Sequence, residues 1–193
     1  MTVGLKYDGK DTFPQMKFGS ECYGLKFDGQ FSENFLQKLC DASCFCPPPF
    51  VQFTDNCEKF GECVYQIPQK VSYGVAAQTC AHYRTEMIEI LSEKKNKFLK
   101  EMAIKYGMES LWLGATGVDG RYTWKSGEVV SGYQPWAENQ PNVADGNCAF
   151  EDVNTGKWSS APCDDDFVTL HSFACQKIAC DTNHYCSLAF MQP

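Results

Sequence analysis

The residues with the most pronounced chemistry in this chain are its cysteines. Twelve of them occur in 193 residues, an even number at high density. Such usage is typical of a disulfide framework formed in an oxidising compartment. Structural zinc is the alternative, because Cys40, Cys44 and Cys46 have ligand-like spacing. The chain has three histidines and no paired CxxC motif, so disulfides are the favoured interpretation.

The chain also contains the residue types of a hydrolase triad. Ser159 or Ser160, His171 and the run Asp164 to Asp166 supply a hydroxyl, an imidazole and carboxylates. No GxSxG elbow or other nucleophile context accompanies them. His171 lies in an apolar, strand-like run, which favours a core or surface histidine. We therefore expect the protein not to be an enzyme.

Charge and hydropathy limit the partners. The formal net charge is −7 and the pI is near 4.9, and no cluster of lysine and arginine supplies the basic face that nucleic acids need. No apolar run approaches 18 residues, so we expect no membrane span. The first residues lack the hydrophobic region of a secretory signal. Together with the cysteines, this indicates the mature region of a secreted, extracellular protein.

The sequence divides into three parts. Residues 1–45 form a cysteine-containing extension in which GLKYDG, starting at Gly4, returns as GLKFDG at Gly24. Each copy ends in Asp-Gly, a strong hairpin turn signal, so we interpret the repeat as small disulfide-held hairpins, with a partner-binding or assembly arm as the alternative. A short helix is predicted over 32–42 and ends before three consecutive prolines. A main domain over 46–178 and a tail over 179–193 with two cysteines follow.

The main domain begins with two predicted helices. Ser72 caps the first, which continues to about Tyr83, and Ser92 caps the second, which continues to about Tyr106. Residues 87–91 (MIEIL) alternate apolar and acidic side chains, which is typical of a half-buried strand. The second helix is predicted to turn its lysines outward and the following residues inward: Phe98, Leu99, Met102 and Tyr106.

Strands and a long irregular loop follow. Leu111 to Ala115 and Tyr122 to Trp124 read as strands, with turns at 118–120 and 125–127 and a Pro- and Asn-rich loop between Trp136 and Cys148. This series resembles the C-type lectin-like domain from about Cys46 to Lys177. Three motifs carry the resemblance: Trp112-Leu113-Gly114 as the WIG-like core strand, Gln140-Pro141-Asn142 as the EPN/QPD-like sugar motif and Trp158-Ser159-Ser160 as the WND motif.

The resemblance implies an α+β fold of two helices, small antiparallel sheets and a long loop region. It also implies the disulfides Cys80–Cys175 and Cys148–Cys163, and, for the long form of the domain, Cys46–Cys63. The pairing of the other six cysteines stays open: Cys22, Cys40, Cys44, Cys57, Cys180 and Cys186.

In the family, calcium in the long loop holds the sugar. The resemblance places its ligands on Gln140, Asn142, Gly146 and the pair Ser159 and Ser160, with Asp145 beside Gly146 as a substitute. Calcium prefers several oxygen ligands with carboxylates among them, and at most one carboxylate remains. We therefore expect no cofactor and no ordinary calcium site. Any residual metal ligands would be Gln140, Asn142 and Asp145.

A second group of carboxylates lies near these motifs. Asp164 to Asp166 follow Cys163, and Glu151-Asp152 precede Trp158. They could form a relocated cation site. We favour instead a solvated acidic insertion in a longer loop between Cys163 and Cys175, because adjacent carboxylates on a flexible loop repel each other and point in different directions.

Three functions are consistent with these features. The favoured one is an extracellular recognition module that binds a protein or glycan without the usual calcium. The second is a calcium-dependent lectin of galactose type, and the third is a matrix protein assembled through the N-terminal repeat. The candidate ligand-binding residues are Glu138, Gln140, Asn142, Asp145, Ser159 and Ser160.

Overall fold

The computed structural model describes residues 45–56, 58–163 and 168–180. The N-terminal repeat with its predicted helix, Asp164 to Asp166 and the tail beyond Cys180 lie outside the described residues. None of the helices in these ranges is long and apolar enough to cross a bilayer. The elements in chain order are β1 (Val51–Asp55), β2 (Glu58–Val71), α1 (Tyr73–His82), β3 (Glu86–Met87), α2 (Glu93–Lys105), β4 (Ser110–Val118), β5 (Arg121–Trp124), a 3-10 turn (Val143–Asp145), β6 (Cys148–Asp152), β7 (Lys157–Ala161) and β8 (His171–Ile178).

The strands join in one sheet of order β1-β2-β8-β4-β6-β7, with β3 beside β8 and β5 beside β4. All pairs are antiparallel except β4 and β8, which are parallel at Leu111 with Ser172 and at Trp112 with Phe173. Strand β8 lies between two strands that run in opposite directions, so it must be parallel to one of them. The α+β fold is confirmed, and the sheet is mixed where small antiparallel sheets were expected.

The WLG motif of β4 lies at the centre of the core. Trp112 and Leu113 are fully buried, and the Trp112 indole donates to the carbonyl of Val71 at 2.8 Å. A Cβ on Gly114 would lie 2.9 Å from the carbonyl oxygen of Met87. Glycine is needed here because the two backbones approach closely.

The strand predicted over 87–91 is wrong in length and pattern. Only Met87 and the residue before it are in a strand, and residues 88–90 are all buried. The segment is enclosed between β8 and β4, and the Ile88 amide donates to the carbonyl of Ala174 at 2.9 Å. Glu89 is buried because its carboxylate accepts from the amide of Ser126 at 2.9 Å, and burial raises its pKa.

Both predicted helices are confirmed, with one difference at a cap. The Ser92 hydroxyl accepts from the amide of Lys95 at 3.2 Å, which satisfies one of the free amides at the start of α2. Ser72 occupies the N-cap position of α1, but its side chain makes no capping hydrogen bond.

The predicted inner face of α2 is only partly correct. Leu99 is fully buried, whereas Tyr106 is 45% exposed. The expectation that the lysines point outward is wrong for Lys95, which is buried together with Asn96. Hydrophobic periodicity missed these positions because both polar side chains find partners on other elements.

Lys95 is a buried ammonium group that connects α2 to the sheet. Its side chain is 3% exposed and pairs with the Glu62 carboxylate of β2, and it donates to Oε1 of Gln176 on β8 at 2.8 Å. Burial lowers the pKa of Lys95, and the Glu62 carboxylate opposes that shift. The ion pair and the amide therefore compensate for the desolvation of the charge.

Three disulfides staple the domain, with the pairings that the resemblance implies: Cys46–Cys63, Cys80–Cys175 and Cys148–Cys163. Cys80 and Cys175 are 95 residues apart, and a crosslink closing so long a loop stabilises by roughly 4 to 5 kcal/mol in the chain-entropy account. Cys180 is also disulfide-bonded. Every other described cysteine is already paired, so its partner lies outside the described residues.

We expect Lys95→Ala to lower the free energy of unfolding by about 2 to 3 kcal/mol, because Glu62 and Gln176 lose a charged hydrogen-bond partner. Urea unfolding with the disulfides intact, followed by tryptophan fluorescence, measures this change. Lys94→Ala is the matched control, since Lys94 pairs with Asp55 and Glu58 in a solvent-exposed setting and should change the midpoint little. Equal shifts for the two variants would contradict a stabilising role for the buried ammonium.

Candidate functional site

The long loop (residues 134–147) is attached at its base to β7. The amide of Ala137 donates to the carbonyl of Trp158 at 2.8 Å, and the amide of Trp158 donates to that of Pro135 at 3.0 Å. The Trp136 ring packs against Tyr122 at 4.9 Å and against Trp158 at 5.6 Å between centroids. Backbone and aromatic contacts therefore fix where the loop leaves the sheet.

Gln140 folds back from the loop onto β7. Its side-chain oxygen accepts from the amide of Ser160 at 2.8 Å and from the amide of Asn142 at 3.1 Å. The Gln140–Pro141 peptide is cis, as in the family counterpart. The two amide donors fix the orientation of the Gln140 side chain, with its oxygen toward the strand and its NH2 group toward the loop.

Asp145 accepts hydrogen bonds from two side-chain NH2 groups of the loop. Its Oδ2 accepts from Nε2 of Gln140 at 2.8 Å and from Nδ2 of Asn142 at 3.0 Å. The Asn142 oxygen accepts from the amide of Ala144 at 3.1 Å and so caps the 3-10 turn. These three side chains satisfy one another's hydrogen bonds.

Ser160 joins the loop to the neighbouring strands. Its hydroxyl accepts from the amide of Asn142 at 3.0 Å and lies 2.9 Å from the hydroxyl of Tyr122. The Tyr122 hydroxyl lies 3.1 Å from the carbonyl of Gly146, to which it donates. Tyr122 was not among the predicted site residues, although its alternation with Trp124 along β5 indicates that both side chains share a buried face.

The structure brings together four of the six candidate ligand-binding residues: Gln140, Asn142, Asp145 and Ser160. Ser159 is not among them, because neighbouring residues of a strand point to opposite faces. Glu138 is exposed on the loop, beside the hydrogen-bonded cluster. We call the four residues together with Tyr122 the loop network.

The donor set of the loop network does not fit calcium. Calcium takes six to eight oxygen ligands, whereas this cluster contains one carboxylate, and Oδ2 of that carboxylate already accepts two amide N–H groups. The oxygens of Gln140 and Asn142 accept backbone N–H groups. Within the described ranges, no three His, Cys, Asp or Glu side chains come together in a way that could hold a metal ion.

Gly146 excludes the glutamate that the family carries at this position. Its φ is +128°, and a Cβ there would lie well under 3.0 Å from the backbone of Ala161 and Pro162. A side chain would therefore collide with the end of β7, so a carboxylate at this position would require the strand to move.

Of the second group of carboxylates, only Glu151 and Asp152 lie within the described residues, so the predicted acidic insertion after Cys163 stays a prediction. Glu151 is 1% exposed, because β6 carries it into the core beneath α2. Asp152 is partly buried and accepts from the amide of Thr155 at 2.9 Å, which fixes the β6–β7 turn.

His171 does not pair with either serine of the WSS motif. Its Nδ1 lies 2.6 Å from the hydroxyl of Ser110, and its ring stacks on Phe150 with centroids 4.1 Å apart. Burial, the larger cause, and the nearby charge of Lys70 lower the pKa of His171 to about 4. The imidazole is therefore neutral at ordinary pH and belongs to the packing between β4, β6 and β8.

The two helices, the mixed sheet, the long loop and the three disulfides define a C-type lectin-like fold. A family model of the lectin C-type domain matches residues 69–177. This is more than half of the chain, and the chain belongs to that family.

Individual relatives show the same relationship. C-type lectin domain-containing protein 160 of Caenorhabditis elegans is 25% identical over 201 residues, which cover 93% of this chain and 30% of the relative. The chain thus spans less than a third of the length of that relative.

Solved structures are also similar. The carbohydrate-recognition domain of the mouse scavenger receptor C-type lectin is 26% identical at a TM-score of 0.57, covering 69% of this chain and 96% of that one. A calcium-independent type II antifreeze protein shares the fold at 21% identity and a TM-score of 0.58, covering 71% of this chain and 97% of that one.

We expect Gly146→Ala to destabilise the domain by at least about 2 kcal/mol more than Gly127→Ala. Both glycines have positive φ, but a Cβ on Gly127 would meet nothing within 4 Å. The difference between the variants isolates the close approach of the loop to β7. It is measured by thermal unfolding, and equal losses in the two variants would show that the loop does not pack against the strand in this way.

Proposed function

We propose that this chain is an extracellular, non-catalytic recognition module that binds a glycan or protein ligand through the long loop without bound calcium. The domain is stapled by three disulfides, and such crosslinks persist in oxidising compartments. The proposal concerns this chain and not the additional length that its nematode relative contains.

The loop network is the observation that carries this proposal. In the family pattern, the amide and carboxylate oxygens of the loop converge on calcium, which orders them. Here the backbone amides of Ser160 and Asn142 hold the Gln140 side chain, and the backbone amide of Ala144 holds the Asn142 side chain. Protein hydrogen bonds take over the ordering role, so the loop keeps a defined shape without the metal.

The exposed groups of the loop indicate the chemistry of the ligand. Glu138 and Asn139 are exposed and lie outside the loop network, and they offer carboxylate and amide groups that suit hydroxyl or peptide N–H donors. The net charge of −7 adds no attraction for polyanions. Neutral glycans and polar protein surfaces are therefore the ligand classes that match this loop.

The comparisons support this assignment in part. The mouse scavenger receptor domain is a carbohydrate-recognition domain of the same fold at 26% identity. The similarity to the calcium-independent antifreeze protein supports the fold alone. Family membership thus supports recognition, and the loop network supports independence from calcium.

A calcium-dependent lectin is the second candidate. It is favoured by the convergence of Gln140, Asn142 and Asp145, which are the remaining metal-ligand candidates. To bind calcium, the two amides would have to rotate their oxygens outward. The Gln140 oxygen would then lose the hydrogen bonds from Ser160 and Asn142.

Binding to a broad glycan array, once with millimolar calcium and once with excess EDTA, tests the proposal. We expect equal signals in both conditions. Glu138→Ala should weaken binding about tenfold, as expected for the loss of a charged hydrogen-bond partner, and it leaves the loop network intact. Glu109→Gln is the matched control, because Glu109 is an exposed carboxylate before the start of β4 and should bind like the parent.

Three results would redirect the assignment. A signal in calcium that disappears in EDTA would establish the calcium-dependent lectin. No signal in either condition would exclude the arrayed glycans and leave protein ligands. Equal weakening of binding by Glu138→Ala and Glu109→Gln would show that the ligand does not bind at the long loop.

A further inference from the structure

Glu151 is a buried acid that the binding site does not use. It lies on β6 with 1% of its surface exposed, and neither carboxylate oxygen has a hydrogen-bond partner among the described residues. Two neighbouring groups share this condition, namely Oδ1 of Asn96 on α2 and the indole nitrogen of Trp158 on β7. Unpaired buried polar groups are costly, so this arrangement needs an explanation.

These three residues surround one turn. Glu151 and Trp158 are directly opposite in the β6–β7 ladder, so their side chains lie on the same face. A Cβ built on Gly156 would lie 4.0 Å from Oε1 of Glu151 and 3.3 Å from Nδ2 of Asn96. The Asn96 amide donates to the Gly156 carbonyl at 3.3 Å, which leaves its oxygen as a free acceptor.

A proton on Glu151 matches this set of groups. A carboxylic acid has one O–H donor and one carbonyl acceptor. It carries no charge, so its burial costs less than the burial of a carboxylate. An ionised carboxylate would instead be a buried charge with no hydrogen-bond donor on either oxygen among the described residues, which is costly.

Charged groups around Glu151 only partly oppose this state. Lys100 of α2 lowers the pKa of Glu151, and Asp152 on the same strand raises it. Lys100 is held by the carbonyl of Asn154 at 2.6 Å, and Lys157 is the ladder partner of Asp152. Tyr133 faces the site from the segment before the long loop. Burial raises the pKa of Tyr133, a side-chain hydrogen bond with Asn96 opposes that shift, and the charges of Glu151 and Glu93 add to it. Burial is the largest influence and raises the pKa of Glu151 to about 8.

Trp158 connects this acid to the binding loop. Its backbone holds Pro135 and Ala137 at the base of the long loop, and its ring contacts those of Trp136 and Tyr133 at 5.6 and 6.0 Å. A change in the packing of Trp158 therefore reaches the loop through two backbone hydrogen bonds and two ring contacts.

We propose that Glu151 is a protonation switch for the long loop: the neutral acid keeps Trp158 and the loop base packed, and ionisation loosens them. The consequence for ligand affinity rests on the proposed function, whereas the structural switch does not. The ordinary pKa of 4.5 is raised to about 8 in the fold. The stabilising contribution is therefore fully present below pH 4.5 and is lost as the pH rises to about 8.

Hydrogen exchange of the ligand-free protein at pH 6 and pH 9, expressed as protection factors, tests the switch. Residues 134–147 and 157–161 should lose protection at least about tenfold between these pH values in the parent. Glu151→Gln, a neutral side chain of the same shape, should remove this pH dependence, while α1 remains protected throughout. Glu128→Gln serves as an exposed carboxylate control and should behave like the parent.

Glu151→Leu repeats the test with an apolar side chain, so that a folding defect of one variant does not end the experiment. Loss of the pH dependence in both variants supports the switch. The same pH profile in the parent and in either folded variant overturns it. The exchange experiment uses no ligand, so it tests the switch independently of the proposed function. Absence of glycan binding would count against the proposed function and would not change the outcome of the exchange experiment.

Discussion

Two backbone amides converge on the side-chain oxygen of Gln140, and the shape of the binding loop depends on this constraint. Ser160 contributes one donor from β7 and Asn142 contributes the other from the loop itself. Because the oxygen is fixed toward the strand, the NH2 group faces Asp145. The loop is thus closed by amide donors that bind a single carboxylate, which leaves fewer free oxygen ligands than a calcium ion requires.

Neighbouring features are consistent with that arrangement. Gly146 lets the chain pass against Ala161, where the family carries a metal-binding glutamate. Ser160 replaces a carboxylate with a hydroxyl that bonds Tyr122. Trp158, which lies two residues before Ser160 in β7, holds the base of the loop and lies opposite Glu151. Loop shape, strand contact and the buried acid therefore form one continuous structure.

Local sequence patterns and family motifs predicted the helices, turns and disulfides. They did not predict which polar side chains are buried, because that depends on partners far away in the sequence. The Ser92 cap, the Cys80–Cys175 pairing and the turns of β4–β5 follow from signals within the sequence or from family motifs. Lys95 was placed in solvent because hydrophobic periodicity assigns polar residues to the outside. Lys95 is buried because Gln176, 81 residues away, accepts from it. Glu151 had no such signal, since its neighbours come from α2 and the turn at Gly156.

Thermal unfolding in millimolar calcium and in excess EDTA tests the central claim most directly, because a metal ion that binds the folded loop raises the melting temperature. If the loop is held by its own hydrogen bonds, the two melting temperatures will agree within about 1 °C. A metal present at a hundred times its dissociation constant adds about 2.7 kcal/mol to the native state. A melting temperature several degrees higher in calcium would therefore contradict the account.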